Sequence, residues 1–167
     1  MINSNSWMQQ VSQKLAANAF VPLPPEIYQP QGYKYAARRS RFEISKFGMA
    51  EYFFTFAKIP NLTPEVLQNY SSAAFQFAMK NKTVPLPCGL FESVFCFAVA
   101  ITADLNQQLA QNIGETAPIK HWSAFEMPVV FDLASSSLHY FEKTPVWGAA
   151  YYAGFRKEIQ SNLGSDK

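Results

Sequence analysis

The stretch from Phe91 to Thr102, FESVFCFAVAIT, constrains the fold more than any other part of the chain. Every residue from Val94 to Ile101 is apolar, and Phe, Val and Ile dominate. Pro85, Pro87 and Gly89 keep regular structure from running into it. A continuous apolar run of this length suits a strand covered on both faces at the centre of a sheet. Alternation divides it into a bulky face (Phe91, Phe95, Phe97, Val99, Ile101) and a small face (Val94, Cys96, Ala98, Ala100). Helices can pack closely over the small face. A second reading competes, because Val94, Ala98, Ile101, Leu105, Leu109 and Ile113 also fall at helical spacing with no Pro or Gly between Leu90 and Ile113. A strand through Thr102 followed by a helix is the expectation. Aromatic and β-branched residues fill the first part, Leu, Gln and Ala fill the second, and Asp104 is placed to cap the junction.

The remaining elements follow from local signals. Trp7, Val11, Leu15 and Ala19 predict a short amphipathic helix, with Ser4 or Ser6 as its cap. Residues 21–32 hold four prolines and predict an extended connector; Pro22 to Pro25 fits PxxP, a pattern read here as a stiff segment lying on the domain. Tyr33 to Lys58 predicts a hairpin turned at Gly48. Thr63-Pro64-Glu65 opens a helix that runs to about Lys80: a hydroxyl cap, a proline at the first helical position, and an acid near the positive dipole end. Val66, Tyr70, Ala73, Ala74 and Phe77 make its expected apolar face. A helix near Leu105–Ile113 ends at Gly114. Phe125–Leu133 and Leu138–Lys143 predict a second hairpin. Thr144-Pro145 then predicts a last helix closed by Gly164, with a ridge of Trp147, Tyr151, Phe155 and Ile159.

This order predicts a single α+β domain over residues 1–167. It has about five mostly antiparallel strands, two hairpins plus the buried central strand, covered by about four helices. Residues 1–20 form the N-terminal helix, 21–32 the connector, and 33–163 the sheet-and-helix core. The length of 167 residues and the 15 Phe, 8 Tyr and 3 Trp are enough to build a real core.

Charge is uneven along the chain. Residues 1–83 carry nine Lys and Arg against four Asp and Glu, whereas residues 84–167 carry five against eight. The basic half concentrates in the first hairpin arm, where Lys34, Arg38, Arg39, Arg41 and Lys46 interleave with Tyr33, Tyr35, Phe42 and Phe47. Cations that hold phosphates and rings that stack on bases are what single-stranded nucleic acid requires. The same charges also protect a solvated edge strand from aggregation.

A second constellation lies on the second hairpin. If Leu133 pairs with Leu138, then Asp132 sits directly opposite His139, and an Asp beside a His orients the imidazole for acid–base chemistry. In that register Glu142 points away from the pair. Asp132 and His139 are therefore the catalytic candidates. No nucleophile or third ligand has a defined spacing to them.

The chain has no GxGxxG, Walker loop, GxSxG, HExxH or zinc-type Cys/His spacing. The two cysteines, Cys88 and Cys96, form neither a CxxC pair nor a disulfide framework. No cofactor and no metal site is expected. The N-terminal MINSNSWMQQ lacks signal-peptide character, and no stretch approaches the ~20 apolar residues of a membrane helix, so a cytoplasmic protein with no membrane association is expected. The functional expectation is a non-catalytic binding or regulatory protein that works by protein–protein contact or self-association. Nucleic-acid binding through residues 33–47 is the alternative, and a metal-dependent hydrolase or nuclease the third reading.

Overall fold

The computed structural model describes residues 3–43, 48–83, 92–146 and 149–164. Five helices and seven strands follow one another as α1 (Ser4–Ala17), β1 (Val21–Pro22), α2 (Pro25–Tyr28), β2 (Tyr35–Glu43), β3 (Gly48–Lys58), α3 (Pro64–Lys80), β4 (Glu92–Thr102), α4 (Gln107–Glu115), β5 (Lys120–His121), β6 (Ala124–Asp132), β7 (Ser137–His139) and α5 (Ala149–Leu163). All strands join one sheet in the order β1-β2-β3-β4-β6-β5, with β7 also pairing to β6.

The α+β class is as expected, and the sheet is mixed. β1–β2, β2–β3, β5–β6 and β6–β7 are antiparallel, while the central pairs β3–β4 and β4–β6 are parallel. Parallel neighbours cannot be joined by a tight turn and need a crossover. Helix α3 supplies the first crossover and α4 the second, so β4 lies between two parallel partners.

Every residue of β4 is buried, and its two faces divide as their sizes require. Phe95, Phe97, Val99 and Ile101 enter a core cluster with Trp7, Val11 and Leu15 of α1 and Tyr152, Phe155, Ile159 and Leu163 of α5. Val94, Cys96, Ala98 and Ala100 enter the other cluster, under Ala74 and Ala78 of α3. The alanines on both sides let α3 lie close to the sheet. Phe91 lies outside the described residues. Ring contacts tie the bulky layer together. Phe54 stacks on Phe97 with centroids 4.6 Å apart, and Trp7 stacks on Phe131 at 3.8 Å. Full burial of such side chains contributes about 1.5–3 kcal/mol each.

Local signals resolve with some corrections. Thr63 Oγ1 accepts the Val66 amide at 3.2 Å and caps α3. The buried face of α3 is Leu67, Tyr70, Ser71, Ala74, Phe75, Phe77 and Ala78, while Val66 and Ala73 face water. The Tyr70 hydroxyl, at 3.0 Å from Thr55 O and 3.2 Å from Val99 O, draws the helix into this rotation. Asn106, not Asp104, caps α4, its Oδ1 accepting the Leu109 amide at 2.8 Å. The proline-rich connector is not extended throughout. After β1 it forms α2 and a 3-10 turn at Gln29–Gln31, because Pro25 and Pro30 fit the first turn of a helix. Thr144 and Pro145 are not helical. Instead, Arg156 donates to Thr144 Oγ1 at 2.9 Å and to Lys143 O at 3.2 Å, holding this segment along the flank of α5. Gly48, expected to mark the first hairpin's turn, is instead the first residue of β3 and pairs with Glu43, while Trp147 and residues 44–47 lie outside the described residues.

The second hairpin exists in a different register. Asp132 pairs with Ser137 and Val130 with His139, so Asp132 is not directly opposite His139. The cause is local. Asp132 Oδ1 accepts the Ala134 amide at 3.1 Å and Oδ2 the Ser135 amide at 3.2 Å. These bonds close the four-residue turn one residue earlier than the hydrophobic pattern suggests, with Ser136 at φ 56°. The slip in pairing is even, so Asp132 and His139 remain on one face as diagonal neighbours.

The outer edge of β6 carries Pro128. The amides of Glu126 and residues two apart from it face outward, since Glu126 N donates to Ile119 O at 3.1 Å. Pro128 therefore occupies a position where the ladder inward loses no donor and the edge cannot extend.

Candidate functional site

Sequence candidates Asp132 and His139 come together at the carboxyl end of β6. Ser135 Oγ donates to Asp132 Oδ2 at 2.5 Å, Ser135 Oγ and Ser137 Oγ lie 2.6 Å apart, and Ser137 Oγ lies 2.8 Å from His139 Nε2. Two serine hydroxyls thus connect the carboxylate to the imidazole. Burial alone would raise the Asp132 carboxyl, but hydrogen bonds from Ser135 Oγ and the Ala134 and Ser135 amides hold it below its ordinary value. The run Ser135-Ser136-Ser137 between an Asp and a His was the available sequence signal for this chain of hydroxyls. It is invisible to an argument that pairs residues only across strands.

His139 lines an open cleft of about 540 Å³ between α4 and β7. Gln107, Gln111, Gly114 and Glu115 come from α4, and Tyr140, Glu142 and Lys143 from the segment after β7. Strict alternation turns Glu142 away from His139, yet both line this cleft, because β7 ends at His139 and Glu142 N donates to Gly114 O at 3.1 Å.

A second histidine pair appears where sequence spacing alone did not place one. His121 Nε2 lies 2.7 Å from Glu126 Oε1, and the ring stacks on Phe75 of α3 with centroids 4.2 Å apart. Glu126 is 3% exposed. Its Oε2 also accepts from Ser72 at 3.0 Å and from Ser71 and Gln68 at 3.4 Å. The two-residue turn Trp122-Ser123, with Ser123 at φ 57°, brings β5 back onto β6 and makes this pairing. The carboxylate ties α3 to the sheet edge and fixes the imidazole plane.

The basic arm is divided between two faces. Arg38 donates to Asn81 O at 2.6 Å on the α3 side. Arg39 turns to the α5 side, where it pairs with Glu158 at 2.5 Å, donates to Asn18 O at 3.1 Å, and lies over the rings of Phe20 and Tyr52. Arg41 pairs with Glu43 at 3.2 Å and is more than half exposed, and Lys34 is exposed. Lys46 lies outside the described residues. Adjacent strand residues point to opposite faces, so Arg38 and Arg39 cannot serve one groove.

Of the acidic residues, Glu51 and Glu92 approach each other on the α3 face. Glu51 accepts the Thr83 amide at 2.7 Å, and Glu92 pairs with Lys82. Burial raises the Glu92 carboxyl first; Lys82 opposes the rise, and the neighbouring Glu51 adds to it. Glu43 lies on the opposite face with Tyr52, and Asp132 is at the other end of the strands. Among the described residues, no group of three His, Cys, Asp or Glu side chains is placed to hold a metal ion. Cys96 is buried, and desolvation pushes its thiol up. No helix among the described residues is long and apolar enough to cross a membrane. The chain matches no protein-family model, no curated protein and no solved structure.

Proposed function

We propose that this chain is a non-catalytic binding protein that acts through protein–protein contact, centred on the β5 edge of the sheet. The observation that carries the reading is Trp122, which is 82% exposed at the tip of the β5–β6 turn. An indole held in water at a tight, hydrogen-bonded turn returns nothing to the fold, and Trp is among the residues that dominate binding energy when an interface covers them. Its surroundings extend the patch. Ile119 is 41% exposed beside β5, Lys120 Nζ lies 5.8 Å from the Phe125 ring centroid, and Tyr151 of α5 stacks on the same ring at 6.0 Å. Pro128 stops the outer ladder of β6 just past β5 and leaves the two residues of β5 as a short outer edge, so the contact is made by side chains. The partner surface must be apolar, and a second copy of the chain supplies one through the same patch, as two-fold dimers do.

The test is native mass spectrometry and light scattering across a concentration series. The expected wild-type mass is twice 18.8 kDa. Trp122→Ala with Ile119→Ser should return it to the monomer with the fold intact by circular dichroism. A wild-type monomer up to about 100 μM, far above the Kd range of stable dimers, would sink the reading. So would an oligomer indifferent to the double variant.

The nucleic-acid alternative has narrower support. Lys34 and Arg41 face solvent on the arm, whereas Arg38 and Arg39 are engaged with α3 and α5.

A further inference from the structure

The hydrogen-bond chain on the wall of the α4–β7 cleft has only one proton arrangement. An ionised carboxylate only accepts, so Ser135 Oγ commits its single proton to Asp132 across 2.5 Å. The 2.6 Å contact between the two serines must then be donated by Ser137. Ser137 has no proton left for the ring. The 2.8 Å contact to His139 Nε2 therefore requires the proton on Nε2. In the neutral imidazole this leaves Nδ1 as an acceptor with a free lone pair. The tautomer is set by a carboxylate three hydrogen bonds away.

The rest of the cleft wall is richer in acceptors than in cations. Glu115 and Glu142 contribute two carboxylates, and Lys143 is the one Lys or Arg among the lining residues. The carboxyl end of α4 adds the negative end of its helix dipole at Gly114 and Glu115. Gln107 and Gln111 add amides, and the Tyr140 hydroxyl is engaged by Gln160. A volume of about 540 Å³ suits a small ligand.

We propose that this cleft binds a small organic ammonium compound, with His139 Nδ1 accepting one of its N–H groups and Glu115 and Glu142 balancing its charge. Binding requires the neutral ring. A proton on Nδ1 removes the acceptor and places a cation beside the ligand, while the serine chain and Asp132 support that imidazolium from behind. Glu115, Glu142 and Lys143 are the charged residues that line the cleft with His139. Affinity therefore falls when the ring takes up its second proton.

The chain has two histidines, so each can be followed separately by two-dimensional nitrogen–proton NMR. The probe is 1,4-diaminobutane. The expected result at pH 8 is an Nε2–H tautomer for His139 and a saturable shift of its Nδ1 on titration, with His121 unmoved. At an acid pH where the ring signals show both His139 nitrogens protonated, the saturable shift should be at least tenfold weaker. Ser137→Ala, which does not line the cleft, should release the tautomer and weaken binding about threefold or more while the His121 signals stay in place. Glu142→Gln should weaken binding without changing the tautomer. An Nδ1–H tautomer in the free protein overturns the proposal, as does no saturable shift, or equal shifts at both histidines. These readouts are separate from oligomeric state, so the proposal stands or falls apart from the Trp122 patch.

Discussion

The Arg39 guanidinium on β2 meets the Glu158 carboxylate on α5 at 2.5 Å, with the rings of Phe20 and Tyr52 4.5 Å and 4.9 Å from its carbon. The two side chains are 14% and 16% exposed, so the pair is shielded from water and from screening salt. Asn162 Nδ2 also donates to Glu158 Oε2 at 3.1 Å, which fixes the carboxylate. This contact joins the sheet to the last helix, and it gives Arg39 a structural role whatever else the basic arm does.

Arg39→Ala is expected to lower stability by about 2–3 kcal/mol, because it leaves Glu158 partly buried without its cation and removes two cation–π contacts. Arg41→Ala removes a pair with Glu43 in which the arginine is 55% exposed, and a longer contact of 5.7 Å to the Tyr52 ring, and should cost less than about 1 kcal/mol. Urea midpoints of the two variants, at equal m-values, check this. Equal losses would mean that the Arg39 site is as solvated as the Arg41 site.

Glu126→Ala should cost about 2–4 kcal/mol, since Gln68, Ser71, Ser72 and His121 lose one shared acceptor in a buried place. The loss should localise. Amide exchange is expected to quicken at β5 and the middle of α3, with β2 and β3 unchanged. Uniform acceleration across the sheet would show that Glu126 is not a local tie between helix and edge.

The legible parts of this fold were those whose cause is local. The size alternation along β4 told correctly which side would admit a close helix, and Thr63-Pro64 marked the start of α3 to the residue. The illegible parts depended on tertiary choices. Val66 and Leu67 are both apolar, and tertiary contacts such as the docking of the Tyr70 hydroxyl on Thr55 and Val99 and of Ser71 on Glu126 decide which one turns inward. The parallel pairing of β3, β4 and β6 could not be read from strand patterns, because an inward-facing residue looks the same in either direction. At the candidate site, the sequence placed Asp132 and His139 on one face. It missed the serines between them, since the Asp132 side chain competes for turn amides and shifts the register. The pairing of His121 with Glu126 depended on a two-residue turn at Trp122-Ser123, where no Gly or Asn advertises a hairpin.

Of the two thiols, Cys96 is expected to remain unmodified in the folded protein. It is 1% exposed, and burial holds the thiol far from the reactive thiolate. Alkylation followed by peptide mass mapping should label Cys96 only in urea, with a rate that tracks global unfolding. Labelling at Cys96 in native buffer, at a rate independent of urea, would contradict the burial of β4 beneath α3.

Stability should depend on pH through two carboxyls acting with opposite sign. Asp132 is lowered below its ordinary 3.8 in the fold, where the hydrogen bonds to Ser135 and to the Ala134 and Ser135 amides outweigh burial. Its contribution is fully present above 3.8 and is lost as pH falls through the folded value. Glu92 is raised above its ordinary 4.5, with burial first among the causes. The folded state takes that proton more readily than the unfolded chain does. Its contribution is therefore greatest below 4.5 and declines as pH rises through the folded value. Urea unfolding from pH 2 to 7 separates the two. The stability gap between wild type and Asp132→Asn should shrink towards zero at the acid end. The gap between wild type and Glu92→Gln should move in wild type's disfavour as pH rises past 4.5, on top of a constant offset from the altered Lys82 contact. Parallel pH profiles for wild type and Asp132→Asn would mean that the turn holds its carboxyl no more tightly than water does.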